Sequence, residues 1–284
     1  MKPVLGHNQF IGVSHVSEDR GREKERHFSR VENIYLIAET ASELGFRDMM
    51  IETHPRMLEF LKYYDANKTF NMGFFLQVPY VQGYIQRMNQ DGLRALSAEL
   101  VDRGGYLSAT SFVVRSSLNY LRHDYRSIGL SALQFELAPF EAYEVRAVLL
   151  HNIVTDLLLG LGALEVLEDF SEFVKEKLAR SPGLTTQNLP LLEDRIGSGP
   201  ALPDWVMTPL NPAGHGMNPS KTSVEKAIGR SRRRVIAMDV LGGGSFAPSE
   251  SIGYVRSLER VQYAVFGASS RDHLEELSEL LKET

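Results

Sequence analysis

The chain contains no cysteine. That excludes a disulfide frame, a thiol nucleophile and a thiolate metal site, and it fits a reducing compartment. An excess of basic charge is also missing: the net charge is −5 and the pI near 5.9, which argues against a general nucleic-acid binder. The segment Met1 to His7 lacks the apolar core of a signal peptide. No apolar run reads as a membrane span, because the longest, Val145 to Leu167, is broken by His151, Asn152, Asp156 and Glu165. No solenoid-length repeat is visible. A cytoplasmic protein acting on a small molecule is the expectation, with neither nucleic acid nor membrane as partner.

What is present suits a large core, since 43% of the 284 residues are hydrophobic and 24% charged. Short β-like runs centre near residues 10, 49, 74, 148, 184, 206, 237 and 265, and helical sequence separates most of them. Eight such alternations predict an α/β chain folded as one (β/α)8 TIM barrel over residues 1–284. The first strand is placed at Gln9 to Val13. The charged run Glu18 to Arg30 follows as a solvated segment on the rim where barrel lids form. Gly45 should stop a helix that begins near Val31, and Pro55 should open the next. Val81 to Asp102 reads as helix. Between Tyr106 and Tyr143 the path is hardest to place. Ser131 to Leu137 lies too close to the strand Val145 to Leu150 for a helical crossover, so it is taken as helix or insertion. The basic cluster Arg230 to Arg234 reads as a solvated turn at the barrel bottom.

The last fifty residues carry the strongest pattern. Val235 to Met238 runs into Asp239 and breaks at Gly242-Gly243-Gly244; Tyr263 to Phe266 runs into Gly267-Ala268-Ser269-Ser270 and then a helix from Arg271 to Lys282. Two turns of small residues at strand ends, one opening onto a helix N-terminus, form a phosphate-binding loop with backbone N–H groups and the helix dipole. The plainer reading makes the glycines turn formers and a serine the helix cap.

In a barrel of this kind, functional side chains gather where the strands end. Those positions hold His7, Asn8 and His15 around the first strand, Glu52 and His54 after the second, and Gln77 after the third. His151 and Asn152 follow the fourth, Gln187 and Asn188 the fifth, Asn211 the sixth and Asp239 the seventh. A carboxylate beside an imidazole suits proton transfer near neutral pH. With Asp239, the same groups could instead bind a divalent cation.

Val235 to Gly244 resembles the seventh-strand segment of bacterial aldo/keto reductases. Gly267 to Glu276 is similar to their cofactor-phosphate loop and helix, Leu149-Leu150-His151-Asn152 to their fourth strand, and Thr185-Thr186-Gln187-Asn188 to the turn ending in asparagine. The resemblance covers Val145 to Thr284 well and the first half in outline. It implies a (β/α)8 barrel with NADP across its mouth. Ser269, Ser270 and Arg271 would hold the adenosine phosphate, Glu276 would lie near the adenine, Gly242 to Gly244 near the pyrophosphate, and Asn188 would face the nicotinamide. Asn211 and Asp239 belong to the same rim. Where the family has aspartate, tyrosine and lysine, this chain has Glu52, Met57 and Gln77; of the catalytic set only His151 remains. Asp239 stands where a lysine is frequent.

Three functions follow from these residues. One is an NADP-dependent carbonyl oxidoreductase with a changed acid, His54 with Glu52. Another is a lyase, isomerase or hydrolase using Glu52, His54, His151 and Asp239 through a metal or by acid–base chemistry. The third is a silent binder of a phosphorylated ligand.

Overall fold

A computed structural model describes residues 1–12, 18–80, 125–196 and 203–282. Eight parallel strands close into a barrel in sequence order: β1 (Lys2–Leu5), β2 (Asp48–Glu52), β3 (Gly73–Val78), β4 (Val145–Leu150), β5 (Pro182–Thr185), β6 (Trp205–Pro209), β7 (Arg234–Met238) and β8 (Val261–Phe266). The predicted (β/α)8 architecture is therefore the one observed. Strands two to eight fall on the runs named above.

The first strand does not. Gln9 to Ile11 belongs to a short 3-10 helix, Asn8–Ile11, ended by Gly12 at φ 79°. Residues Lys2 to Leu5 instead pair with both neighbours, Lys2 opposite Tyr263 and Leu5 opposite Phe266 and Met49. Only Val4 and Leu5 signal this strand, so the stronger apolar run after His7 drew the assignment. Phe10 is buried there because its ring meets Phe28 edge-on at 4.9 Å, packing outside the barrel. His15 and the Val81 to Asp102 segment lie outside the described residues.

Side-chain alternation divides each strand between two cores. One parity, including Leu5, Met49, Ile51, Phe74 and Leu76, faces the surrounding helices; the other, including Val4, Met50, Phe75, Leu149, Trp205, Met207 and Ile236, fills the barrel interior. Gly183 sits on the inner face, where a Cβ would come within 2.2 Å of Leu149 and 2.9 Å of Trp205. That position has no room for a side chain.

The helices begin and end as their residues require. Val31–Glu43 is followed by Gly45 at φ 99°, and Pro55–Ala66 opens on Pro55 with His54 as its cap. Tyr125–Leu137 is a helix, so Ser131 to Leu137 is helical, while residues 106–124 lie outside the described residues. The charged run forms the helix Glu18–His27, with Arg22, Glu23, Glu25, Arg26 and His27 all exposed. Among the described residues no helix is long and apolar enough to cross a membrane.

The basic cluster departs from the expected solvated turn. Arg233 is buried and pairs with Glu193, Nη1 to Oε2 at 2.7 Å, the two side chains only 6% and 9% exposed. Arg234 stacks over Trp205, its guanidinium carbon 3.8 Å from the ring centre.

Candidate active site

Because Met50 and Phe75 face inward, Glu52 and Gln77 two residues further on do too, and the pairing register sets them side by side. Thr185 follows Gly183 on β5, and His151 follows Leu149 just past β4. Gln77 is buried, and its Nε2 lies 3.5 Å from Thr185 Oγ1. His7, two residues past β1, completes the group. Its Nε2 stands 3.7 Å from Glu52 Oε2, with both side chains nearly inaccessible.

Glu52 is a buried carboxylate. Burial pushes its pKa up, but the His7 hydrogen bond and the nearby His7, His54 and His151 rings outweigh that and leave it below the ordinary 4.5. It is therefore ionised at neutral pH. His151 is shifted down from 6.5, first by burial, against the pull of Glu52 and with a further push from His7. His7, His54 and His151 are thus within electrostatic reach of Glu52.

Two of the rings have fixed tautomers. His151 caps the helix Asn152–Leu161, its Nδ1 accepting from the Ile153 N–H at 3.2 Å. His54 caps Pro55–Ala66, its Nδ1 accepting from the Arg56 N–H at 3.0 Å. A neutral ring whose Nδ1 accepts must carry its proton on Nε2. His54 acts on the Glu52 carboxylate through its charge and meets Tyr80 edge-on at 4.8 Å. Met57 is fully buried in the core between barrel and helices and does not reach the mouth.

After β8, which pairs with β1, Ser270 caps the last helix through the His273 N–H (3.4 Å), leaving Ser269 half-buried beside it. Arg271 is exposed and folds onto Glu275 (2.7 Å) and Glu43 (3.9 Å), while Glu276 is exposed. Gly242, Gly243 and Gly244 all have positive φ, and a Cβ on Gly242 would strike the Phe246 ring at 2.2 Å. Asp239 is left-handed at φ 53°, a conformation aspartate tolerates better than most residues, and its carbonyl accepts from Gly242 N.

Asn188 caps Leu189–Ile196 through the Leu191 N–H. Asn211 is fully buried: its Oδ1 accepts from His215 N and its Nδ2 donates to His215 O, both at 2.8 Å. Both ends of that amide hold the loop after β6 in shape. Among the described residues, no three histidine, aspartate or glutamate side chains stand close enough to hold a metal ion.

Three positioning residues were not singled out from the sequence. Gln9 Nε2 donates to Gly6 O and Ala268 O (2.6 and 3.1 Å), tying the end of β1 to the turn after β8. Asp156 accepts from Thr186 Oγ1 and Gln187 N, fixing the turn after β5; burial raises its pKa and those two bonds lower it, leaving it above its ordinary value. Glu136 accepts from the Thr53 hydroxyl and from Tyr80 N at 3.0 Å, joining the ends of β2 and β3. Asp156 was visible as a polar break in an apolar run. The other two carried no sequence signal.

The shifts fix the sign of an acid response. His151 resists protonation in the folded chain, so the unfolded state takes up the proton first and stability falls as pH drops below about 6.5. Glu52 adds a second loss, beginning below about 4.5 and complete once its depressed folded pKa is passed. In urea midpoints measured against pH, His151→Asn should flatten the first stage and leave the second. An unchanged slope between pH 6.5 and 5 would show that His151 is solvated.

No protein-family model matches the sequence, and no curated protein matches it. Solved structures do. A Pseudomonas aeruginosa protein assigned to the aldo-keto reductases is 17% identical, with 99% of this chain and 90% of that one covered at a TM-score of 0.60. A holo-form aldo-keto reductase from Bacillus halodurans is 11% identical, with 100% and 87% covered at 0.55. The aldose reductase of Giardia lamblia is 12% identical, with 100% and 87% covered at 0.54. At these identities the likeness is one of fold: the chain has the aldo-keto reductase barrel along its length.

Proposed function

We propose that the chain is a carbonyl oxidoreductase of the aldo-keto reductase type, using NADPH and an imidazole–carboxylate set in place of a tyrosine. The observation that carries this reading is the buried, ionised Glu52 with His7 at 3.7 Å and His54 and His151 around it, at the mouth of a barrel of that fold.

The residues at the rim fit the cofactor's phosphate end. The Ser270-capped helix offers N–H groups and a favourable dipole, and Gln9 holds the preceding turn by its carbonyl. Arg271 is tied to carboxylates only through exposed ion pairs, worth about 0–1 kcal/mol, so a phosphate can replace them. Ser269, Ser270 and Arg271 would hold that phosphate, Gly242 to Gly244 the pyrophosphate, and Asn188 and Glu276 the two ends. When bound, NADPH supplies the hydride.

The chain's own groups do the rest. Neutral His151 offers its Nε2–H to the carbonyl oxygen and polarises the bond. His7 delivers the proton to that oxygen from Nδ1, a buried atom with no hydrogen-bond partner among the described residues, and Glu52 balances the ring's charge. Gln77 keeps the floor polar and uncharged.

The absence of a tyrosine at Met57 and of a lysine at Gln77 favours a second reading, a cofactor-free isomerase or lyase using the same Glu52, His7 and His151. Titration with NADPH, followed by nicotinamide fluorescence, separates the two. Saturable micromolar binding is expected, with Arg271→Ala weaker by about tenfold, the scale of one charge-assisted hydrogen bond. No binding at millimolar NADPH would eliminate the oxidoreductase and leave the second reading.

A further inference from the structure

At the amino-terminal end of the barrel, away from the mouth, lies a cavity of about 600 Å³ whose lining includes Lys2, Arg146, Trp205, Arg234, Gln262 and Tyr263. These residues open their strands or stand next to the ones that do, so the cavity is the basal opening of the cylinder. We propose that it is a binding site for a compact, multiply charged anion such as a phosphate ester or a tricarboxylate.

The floor is aromatic. Phe75, Trp205 and Tyr263 meet edge to face with centroids 5.0 to 5.5 Å apart and plug the barrel. Two cations rest on this plug: Arg234 with its guanidinium carbon 3.8 Å from the Trp205 centroid, and Lys2 with its ammonium 5.6 Å from that of Tyr263. Ring faces attract cations and fix their position without cancelling their charge.

The nearby carboxylates do not cancel it either. Asp48 and Glu144 lie 2.8 and 2.5 Å from Arg146, two carboxylates on one guanidinium. Asp204 is 3.1 Å from Lys175 and only 3.9 Å from Arg234, so its charge is shared and committed mainly to the lysine. Lys2 has no carboxylate partner among the described residues. Four cations, Lys2, Arg146, Lys175 and Arg234, thus stand against the three carboxylates Asp48, Glu144 and Asp204, which leaves one positive charge in excess at a concave space in a chain whose net charge is −5. Low-dielectric walls strengthen the field in such a cleft. Trp205 adds a buried indole N–H with no partner among the described residues.

Trp205 is the only tryptophan, so its emission reports on this floor directly. The full chain should be titrated with sodium pyrophosphate and, separately, with citrate, chloride holding ionic strength constant, and the heat followed by calorimetry on the same samples. A saturable change in emission and heat is expected for at least one anion. Lys2→Glu, at an exposed position, and Arg234→Gln should each weaken it by about tenfold or more. Lys62→Glu, an exposed charge reversal on the helix Pro55–Ala66, should leave it unchanged. Emission that follows ionic strength alone, an undiminished emission titration in Lys2→Glu, or an equal weakening in Lys62→Glu would each overturn the proposal. The emission of Trp205 reports on the base of the barrel, so this outcome does not depend on whether the mouth binds NADPH.

Discussion

Glu52→Gln is expected to slow NADPH-linked reduction of an activated aldehyde such as 4-nitrobenzaldehyde by about 10²–10⁴-fold, while NADPH affinity stays within about twofold. The amide keeps the shape of the side chain and removes its charge. His7 then has no carboxylate to balance its ring when a proton arrives, and the nearby His54 and His151 lose the anion that their positions surround. The cofactor's phosphate contacts are placed on Ser269, Ser270 and Arg271, so binding should not follow the loss of rate. Stopped-flow absorbance of NADPH together with a fluorescence titration measures both quantities on one sample. A variant that keeps at least half the native rate would remove Glu52 from the chemistry. Parallel loss of NADPH affinity would instead mean that the substitution had disturbed the mouth as a whole.

The largest stability effect should come from the other end of the barrel. Glu193→Ala is expected to cost about 3–5 kcal/mol in urea unfolding, because it strands the Arg233 guanidinium in a buried position. Only 6% of the Arg233 side chain and 9% of that of Glu193 is accessible, so water cannot take over the lost contact. The same carboxylate also accepts the Ser231 hydroxyl at 2.7 Å, and Ser231 in turn accepts from the Arg233 N–H. Replacing both partners, Glu193→Leu with Arg233→Met, should recover most of the loss, since neither charge is then left in the interior. A cost of under about 1 kcal/mol for Glu193→Ala would indicate that the pair is hydrated in solution.

Seven of the eight strands could be read from the chain because each is an apolar run bounded by glycine, proline or charge. β1 could not, since Lys2-Pro3-Val4-Leu5 offers just two apolar residues and gains its strand character from pairing with residues 263–266. Glu52, Gln77 and His151 were recognisable because strand ends are where such a barrel exposes polar groups. The role of His7 was not, for its partner lies far away in sequence and the helical turn after it resembled a strand. The same limit hid Gln9, whose bond to Ala268 spans 259 positions, and Glu136, which reaches back 83 positions to Thr53. Hydrogen bonds of that kind depend on the closed barrel, and periodicity reports only on near neighbours. The ion pairs of Arg271 with Glu43 and Glu275 divide in the same way: the second is a spacing of four on one helix, the first is tertiary.

The seam of the cylinder joins residues 2–5 to residues 263–266, and Gln9 laces it shut. Joining segments so far apart costs more chain entropy than any other pairing in the barrel. On the ribosome, β1 is made before the other strands and waits for β8 while the six strands between them are synthesised. During that interval one edge of the growing sheet has no native strand to complete it, and the nascent protein depends on its helices or on a chaperone to keep that edge from other chains.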